Sequence, residues 1–198
     1  MKYRGADDHP EEPRAAFDAV VLSGGAATRL GGVAKGDLEV GGRRLIERAV
    51  SALRSARLVV VAGPRLERVQ GVEWVREDPP GGGPVAALDA GLAIVRRPLV
   101  VVLAVDMPFV TEAVVGRLVN AAAAADGAVL SNSRDQYLCA AYSVEALRAN
   151  LRKLDAVRGA SMRRLLEGLR LDRVEDPAAS WDCDTWEQVE CARLQEGG

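Results

Sequence analysis

The stretch VVLSGGAATRLGGVAKG, residues 20–36, decides the fold class of this chain. It begins as an apolar run typical of a buried β-strand and continues as a glycine-rich loop that carries Arg29 and Lys35. Glycines let a backbone wrap closely around a ligand and aim several N–H groups at it. The guanidinium and ammonium groups then favour phosphate as that ligand, although the stretch alone also fits a surface loop with solvated cations.

Two common nucleotide-binding loops do not fit this stretch. A dinucleotide fingerprint requires G-x-G-x-x-G, but Gly24 is followed directly by Gly25. A Walker A loop requires a hydroxyl residue after its lysine, and Lys35 is followed by a glycine. The loop is therefore either another class of phosphate site or a surface loop with solvated cations.

Outward from this loop, apolar runs alternate with helical patterns along the chain. Such alternation predicts an α/β fold with three layers, in which helices cover both faces of a doubly wound, mostly parallel, Rossmann-like sheet. Strands are predicted at 17–23, 57–63, 72–77, 98–106, 127–131 and 137–143, and helices at 43–55, 83–95, 111–125, 143–154, 160–169 and 185–195.

Ligands of such sheets bind beyond the carboxyl ends of the strands. The loops after residues 22, 62, 76 and 105 are therefore expected at one edge. Asp106 ends an apolar strand at this edge, where a carboxylate needs a partner. Mg²⁺ bridging phosphate oxygens is the natural partner, and a helix cap or a core salt bridge is the alternative.

Composition narrows the classes of function. The chain has 198 residues and a net charge of −2, which gives no reason to expect nucleic acid or an anionic membrane as a partner. Residues 1–16 are predicted to be a disordered polar leader without a signal-peptide core, and residues 17–198 a single cytoplasmic domain. The sole histidine, His9, lies in the leader, which argues against a histidine base. Reduced thiols rather than a zinc or disulfide framework are expected at Cys139, Cys183 and Cys191.

The pattern L-S-G-G-x-x-x-R-L-G-G-x-x-K-G closely resembles the L-A-G-G-x-x-x-R-M-G-G-x-D-K-G signature of the molybdenum cofactor guanylyltransferases. The resemblance covers residues 17 to 194 and continues in order through LEVGGRRLIERAV, EDPPGGGPVAAL, AVDMPFV and DCDTWEQV. It implies a nucleotidyltransferase domain that transfers GMP from GTP to the terminal phosphate of molybdopterin in the molybdenum cofactor and releases pyrophosphate. Cofactor-inserting or delivery proteins are further implied partners, and the chain is expected to be a monomer or a weak homo-oligomer.

The resemblance also assigns roles to residues. It implies that catalysis is carried by Arg29, Lys35 and Asp106. It implies that GTP is contacted by Leu22, Ser23, Gly24, Gly25, Lys35, Asp78, Gly83 and Asp106. It implies that Mg²⁺ is held by Asp106 and Asp184, although Asp184 is equally suited to cap the last helix.

Five positions depart from the family pattern. Ala34 stands where an Asp is usual, and Ala62 stands where a nucleotide-binding Asn is typical. The other departures are Tyr137 and Trp186, which replace prolines, and Ala87, which replaces a glycine. These departures keep alternatives open: a cytidylyltransferase or another nucleotidyltransferase of the same fold, or a GTP-binding module with impaired catalysis.

Overall fold

The computed structural model describes residues 15–24, 34–67 and 69–196. The predicted leader lies outside the described residues except for its last two, of which Ala15 packs against the core. Gly25 and Arg29 also lie outside them. Within the described ranges, no helix is long and apolar enough to span a membrane.

The molecule is organised around a seven-stranded sheet. Its strands are β1 (Asp18–Leu22), β4 (Val59–Ala62), β5 (Glu73–Val75), β6 (Leu99–Ala104), β7 (Gly127–Ser131), β8 (Asp135–Ser143) and β9 (Leu171–Glu175). Their order across the sheet is β5-β4-β1-β6-β8-β7-β9. Among these described strands, β8 alone runs against its neighbours, since it pairs antiparallel with both β6 and β7. The predicted mostly parallel α/β sheet is therefore confirmed. A separate antiparallel hairpin consists of β2 (Glu39–Val40) and β3 (Arg43–Arg44).

Helices cover both faces of the sheet and create two apolar cores. The helices are α1 (Leu45–Ala52), α2 (Pro84–Leu92), α3 (Glu112–Ala122), α4 (Val144–Leu151), α5 (Met162–Leu165) and α6 (Trp186–Glu196). Side chains of α1, α3 and α6 belong to one core, and those of α2, α4 and α5 to the other. Strand β1 serves both cores because its alternate residues point to opposite faces, with Val21 in the first core and Val20 in the second.

Three local features differ from the sequence prediction. Strand β9 was not predicted, because its sequence LDRVE is half polar and its side chains are exposed or half-buried. The helix predicted from residue 43 begins at Leu45, since Arg43–Arg44 pair with β2. The helix predicted at 160–169 is one turn, Met162–Leu165, which Ser161 caps by accepting a hydrogen bond from the N–H of Arg164.

The topology brings the polar loops to one edge of the sheet. Strands β1, β4, β5 and β6 are parallel, so their carboxyl ends lie at the same edge, as predicted. Because β8 runs in the opposite direction, its first residues, from Asp135, reach that edge too. Gly63 lets the loops after β1 and β4 touch, since a Cβ there would lie 2.8 Å from the backbone nitrogen of Gly24.

Candidate active site

A cleft of about 940 Å³ opens at this carboxyl edge. Its lining comes from the ends of β1 and β6, the first turn of α2, the start of β8 and α5. Polar and charged side chains line it, namely Lys35, Glu77, Asp106, Asp135, Gln136, Tyr137, Ser161, Arg163, Asp182 and Asp184. A cleft of this size suits a nucleotide-sized ligand.

Lys35 is joined to two carboxylates in the cleft. Its Nζ donates to Oδ2 of Asp106 at 2.7 Å and to Oδ1 of Asp184. The side chains of Lys35 and Asp106 are about four-fifths buried, with 22% and 17% of their surface exposed. Three residues that the sequence analysis singled out are thus brought together, although they come from three distant parts of the chain.

Backbone contacts hold these three residues in place. Lys35 opens a short 3-10 helix, Lys35–Asp37, whose Gly36 is buried so closely that a Cβ would lie 2.7 Å from Cδ1 of Leu66. Asp106 follows β6 by two residues, and its carbonyl accepts a hydrogen bond from the N–H of Cys183 at 2.9 Å. That bond fixes the segment 182–184 beside the end of β6.

Gln188 organises the same segment from α6. Its Oε1 accepts hydrogen bonds from the backbone N–H groups of Asp184 at 2.8 Å and Thr185 at 2.9 Å, and its Nε2 donates to Asp182 at 3.3 Å. The hydroxyl of Thr185 accepts from the N–H of Gln188, which is the helix-capping contact. The carboxylate of Asp184 is therefore directed to Lys35, and Thr185 caps the helix.

The charges of the cleft shift several pKa values. Burial alone would lower the pKa of Lys35, but Asp106 and Asp184 outweigh burial and raise it above its ordinary value. Burial, reinforced by the charges of Asp184 and Asp106, raises the pKa of Asp182. Burial likewise raises the pKa of Cys183 to about 11. Lys35 is thus a cation at neutral pH, and Cys183 is a protonated thiol rather than a nucleophile.

Of the other residues predicted to contact GTP, some line the cleft and others do not. Leu22, Gly24 and Gly83 line the cleft. Ser23 is buried, its N–H donates to the carbonyl of Ala62 at 2.9 Å, and its hydroxyl has no hydrogen-bond partner within the described residues. The N–H of Ser23 is therefore engaged in the sheet. Asp78 is exposed and lines an adjoining cavity of about 190 Å³, which shares Glu77 with the cleft.

Three residues that sequence reasoning missed bear directly on the site. Glu77 rather than its neighbour Asp78 reaches the cleft, where its carboxylate accepts from the N–H of Gly81 at 3.0 Å. Asp182 stands beside Asp184, and the D-x-D spacing was its only signal. Gln188 follows Thr185 by three residues, which is the spacing of a capping box.

The donors present suit a divalent cation of the Mg²⁺ type only in part. No group of three or more His, Cys, Asp or Glu side chains among the described residues is arranged as a complete metal site. Mg²⁺, however, is commonly bound by one or two carboxylates together with substrate phosphates and water. Asp106 and Asp184 converge on one cation already, the ammonium group of Lys35, so they meet this smaller requirement.

Comparisons with known proteins identify relatives of this chain. The family model described as MobA-like NTP transferase domain matches residues 19–174. A protein of Opitutus terrae named "probable molybdenum cofactor guanylyltransferase" is 34% identical over 147 residues, which are 70% of this chain and 72% of the relative.

Solved structures support the fold. The molybdopterin-guanine dinucleotide biosynthesis protein A of Archaeoglobus fulgidus has a TM-score of 0.69 at 22% identity, over 90% of this chain and 97% of the other. The 2-C-methyl-D-erythritol 4-phosphate cytidylyltransferase of Thermus thermophilus has a TM-score of 0.73 at 21% identity, over 92% of this chain and 100% of the other.

Proposed function

This chain belongs to the MobA-like NTP transferase family, and from that premise we propose that it transfers GMP from GTP to the terminal phosphate of molybdopterin in the molybdenum cofactor. The observation that carries the proposal is the convergence of Lys35, Asp106 and Asp184 at the carboxyl edge of the sheet. The name of the Opitutus terrae relative supports the choice of GTP and molybdopterin.

The proposed reaction needs no base from the protein. An oxygen of the acceptor's terminal phosphate, which is already an anion, forms a bond to the α-phosphorus of GTP. The bond from that phosphorus to the bridging oxygen breaks in line, and pyrophosphate leaves with the electron pair. Catalysis then consists of positioning and charge neutralisation, which suits a chain whose sole histidine is His9, outside the described residues.

Lys35 would neutralise phosphate charge in this reaction. The same ammonium group that now bridges Asp106 and Asp184 would contact the phosphates of GTP and then the leaving pyrophosphate. The N-terminus of α2, where Gly83 and Pro84 line the cleft, adds favourable peptide dipoles for an anion. Arg163 and Tyr137, which also line the cleft, would contact the acceptor.

Asp106 and Asp184 would hold Mg²⁺ together with phosphate oxygens. When bound, the ion would neutralise charge on the α-phosphate as it is attacked. Asp106 is set in place by β6 and by its backbone bond to Cys183, and Asp184 by the side chain of Gln188. The backbones of both residues are thus fixed, and their carboxylates meet at the ammonium group of Lys35.

A nucleotide panel tests the proposal. The protein is incubated with molybdopterin-bearing cofactor, Mg²⁺ and either GTP, CTP or ATP, and both pyrophosphate release and the mass of the product are followed. GTP is expected to react fastest, with the guanine dinucleotide as product and no turnover when Mg²⁺ is omitted. An assay without acceptor separates transfer from hydrolysis.

Each contrary outcome identifies an alternative. Faster turnover of CTP would replace the proposal with a cytidylyltransferase. Tight GTP binding without pyrophosphate release, in an assay where an active guanylyltransferase succeeds, would leave a nucleotide-binding module.

A further inference from the structure

A second cavity, of about 340 Å³, is lined by four arginines. These are Arg96, Arg97, Arg148 and Arg152, and we call the cavity the arginine pocket. Glu145 is the sole carboxylate in its lining, so the pocket carries three net positive charges in a chain whose net charge is −2.

The arginine pocket lies at the opposite edge of the sheet from the cleft. Arg96 and Arg97 precede β6, and Arg148 lies on α4, which follows the last residue of β8. Asp106 follows the other end of β6, and the six residues of this strand span about 20 Å. The pocket is therefore separate from the proposed catalytic site.

The frame of the pocket is held by specific contacts. Nη2 of Arg148 donates to the carbonyl of Leu92 at 2.7 Å and to that of Val95 at 3.3 Å. The buried carboxylate of Asp18 accepts hydrogen bonds from the backbone N–H groups of Arg96 at 2.8 Å and Arg97 at 3.0 Å. Hydrogen bonds to charged groups are among the stronger ones, so the loop that presents these arginines is well fixed.

Three of the guanidinium groups that line the arginine pocket are available to bind a ligand. In the described part of the chain, the side chains of Arg96, Arg97 and Arg152 make no hydrogen bond or ion pair, not even with Glu145. Positive charges around one cavity repel each other, and an anion bound between them offsets that repulsion by attracting each of them. Planar guanidinium forks match phosphate oxygens in geometry as well as charge.

We propose that the arginine pocket binds a small anion that carries a pyrophosphate group. The three net positive charges match the charge of such a group near neutral pH, and the volume lies at the lower end of the range for small-ligand sites. This inference goes beyond the proposed function and does not depend on it, because the pocket shares no residue with the cleft.

Calorimetric titration with inorganic pyrophosphate tests the proposal. The unmodified protein is compared with a triple variant, Arg96→Gln, Arg97→Gln and Arg152→Gln, which keeps the structural Arg148. The matched control is Arg43→Gln, Arg57→Gln and Arg65→Gln. These are three exposed arginines outside the pocket, and their side chains also make no hydrogen bond or ion pair among the described residues. A Lys35→Ala variant reports any binding in the cleft.

We expect the pocket variant to bind pyrophosphate about tenfold or more weakly, because charge-assisted contacts are lost. The control and the Lys35→Ala variant should keep that binding event, and the melting temperature of the pocket variant should not fall below that of its control. An equal loss of pyrophosphate binding in the control variant would show that overall charge, rather than the arginine pocket, causes the binding, and would contradict the proposal. Loss of the event only in Lys35→Ala would place it in the cleft. Binding of a polyglutamate peptide but not of pyrophosphate would replace the proposal with an acidic protein partner.

Discussion

The ammonium group of Lys35 lies 2.7 Å from Oδ2 of Asp106, although 71 positions separate the two residues in sequence. The same nitrogen contacts Asp184, which is 149 positions away. One side chain therefore ties the segment after β1 to the loop after β6 and to the start of α6.

Lys35→Ala is expected to lower the rate of transfer about 10²–10³-fold, the loss of about 2.7–4 kcal/mol typical of a removed transition-state contact. The measurement is pyrophosphate release at saturating GTP. Lys153→Ala is the matched control, since the ammonium group of Lys153 donates to Asn150 near the end of α4 and lines no part of the cleft. An unchanged rate in Lys35→Ala would show that the lysine serves only to hold Asp106 and Asp184.

Asp106→Asn is expected to abolish Mg²⁺-dependent transfer and to leave a folded protein. Lys35 keeps Asp184 as a partner, so the change should cost less than the about 3–5 kcal/mol of a buried charge left alone. Activity and melting temperature are measured together, with the exposed Asp89→Asn as control. A large fall in melting temperature with normal activity per folded molecule would contradict a metal-binding role.

Asp135→Asn is expected to lower the melting temperature slightly at pH 7. Both Oδ atoms of Asp135 accept hydrogen bonds from Arg173, at 2.8 and 2.9 Å, and these bonds lower the pKa of Asp135 below 3.8. A carboxyl group whose pKa is lower in the folded than in the unfolded state stabilises the fold at pH values above its unfolded pKa. That stabilisation is lost as the pH falls through its folded pKa. The difference from the unmodified protein should therefore shrink as the pH falls below about 3.8 and vanish only below the lowered pKa of Asp135 in the folded state.

Asp172→Asn is the control for this prediction. Asp172 is an exposed carboxylate on the same strand as Arg173 and makes no ion pair within the described residues. Thermal melts between pH 2 and pH 7 suffice. A difference that persists at the lowest pH would mean that the shape of Asp135, rather than its charge, matters.

Gly63→Ala is expected to destabilise the protein by about 1–3 kcal/mol, the usual cost of overpacking. The added Cβ would lie 2.8 Å from the nitrogen of Gly24 and from the carbonyl carbon of Ser23, and backbone atoms cannot rotate away. Because Gly24 lines the cleft, nucleotide affinity should fall as well. Denaturant unfolding and calorimetry measure the two effects.

Gly42→Ala is the control for Gly63→Ala, because it separates backbone strain from steric crowding. Gly42 has φ of 71°, and nothing lies within 4 Å of a Cβ built there, so this change adds backbone strain alone. It should leave nucleotide affinity intact. Equal effects of the two substitutions on affinity would disprove the role given to the close approach at Gly63.

Local pattern predicted most of the scaffold. The apolar runs that became β1 and β6 are buried on both faces, as continuous runs are in a parallel sheet. Thr111 and Ser143 cap their helices, because a hydroxyl before a helical pattern satisfies free N–H groups whatever the surrounding fold. By contrast, β9 escaped prediction because a short, half-polar edge strand has no periodicity of its own.

By itself, the sequence determined the sheet class and the edge at which Lys35 and Asp106 would be found, since strand direction and loop position follow from the alternation of elements. Only the tertiary structure decided that Asp184 reaches the same ammonium group, that Glu77 rather than Asp78 faces the cleft, and that four arginines gather at the opposite edge. The physical reason is distance along the chain. Propensity and periodicity act within a few residues, whereas these contacts depend on how whole elements pack.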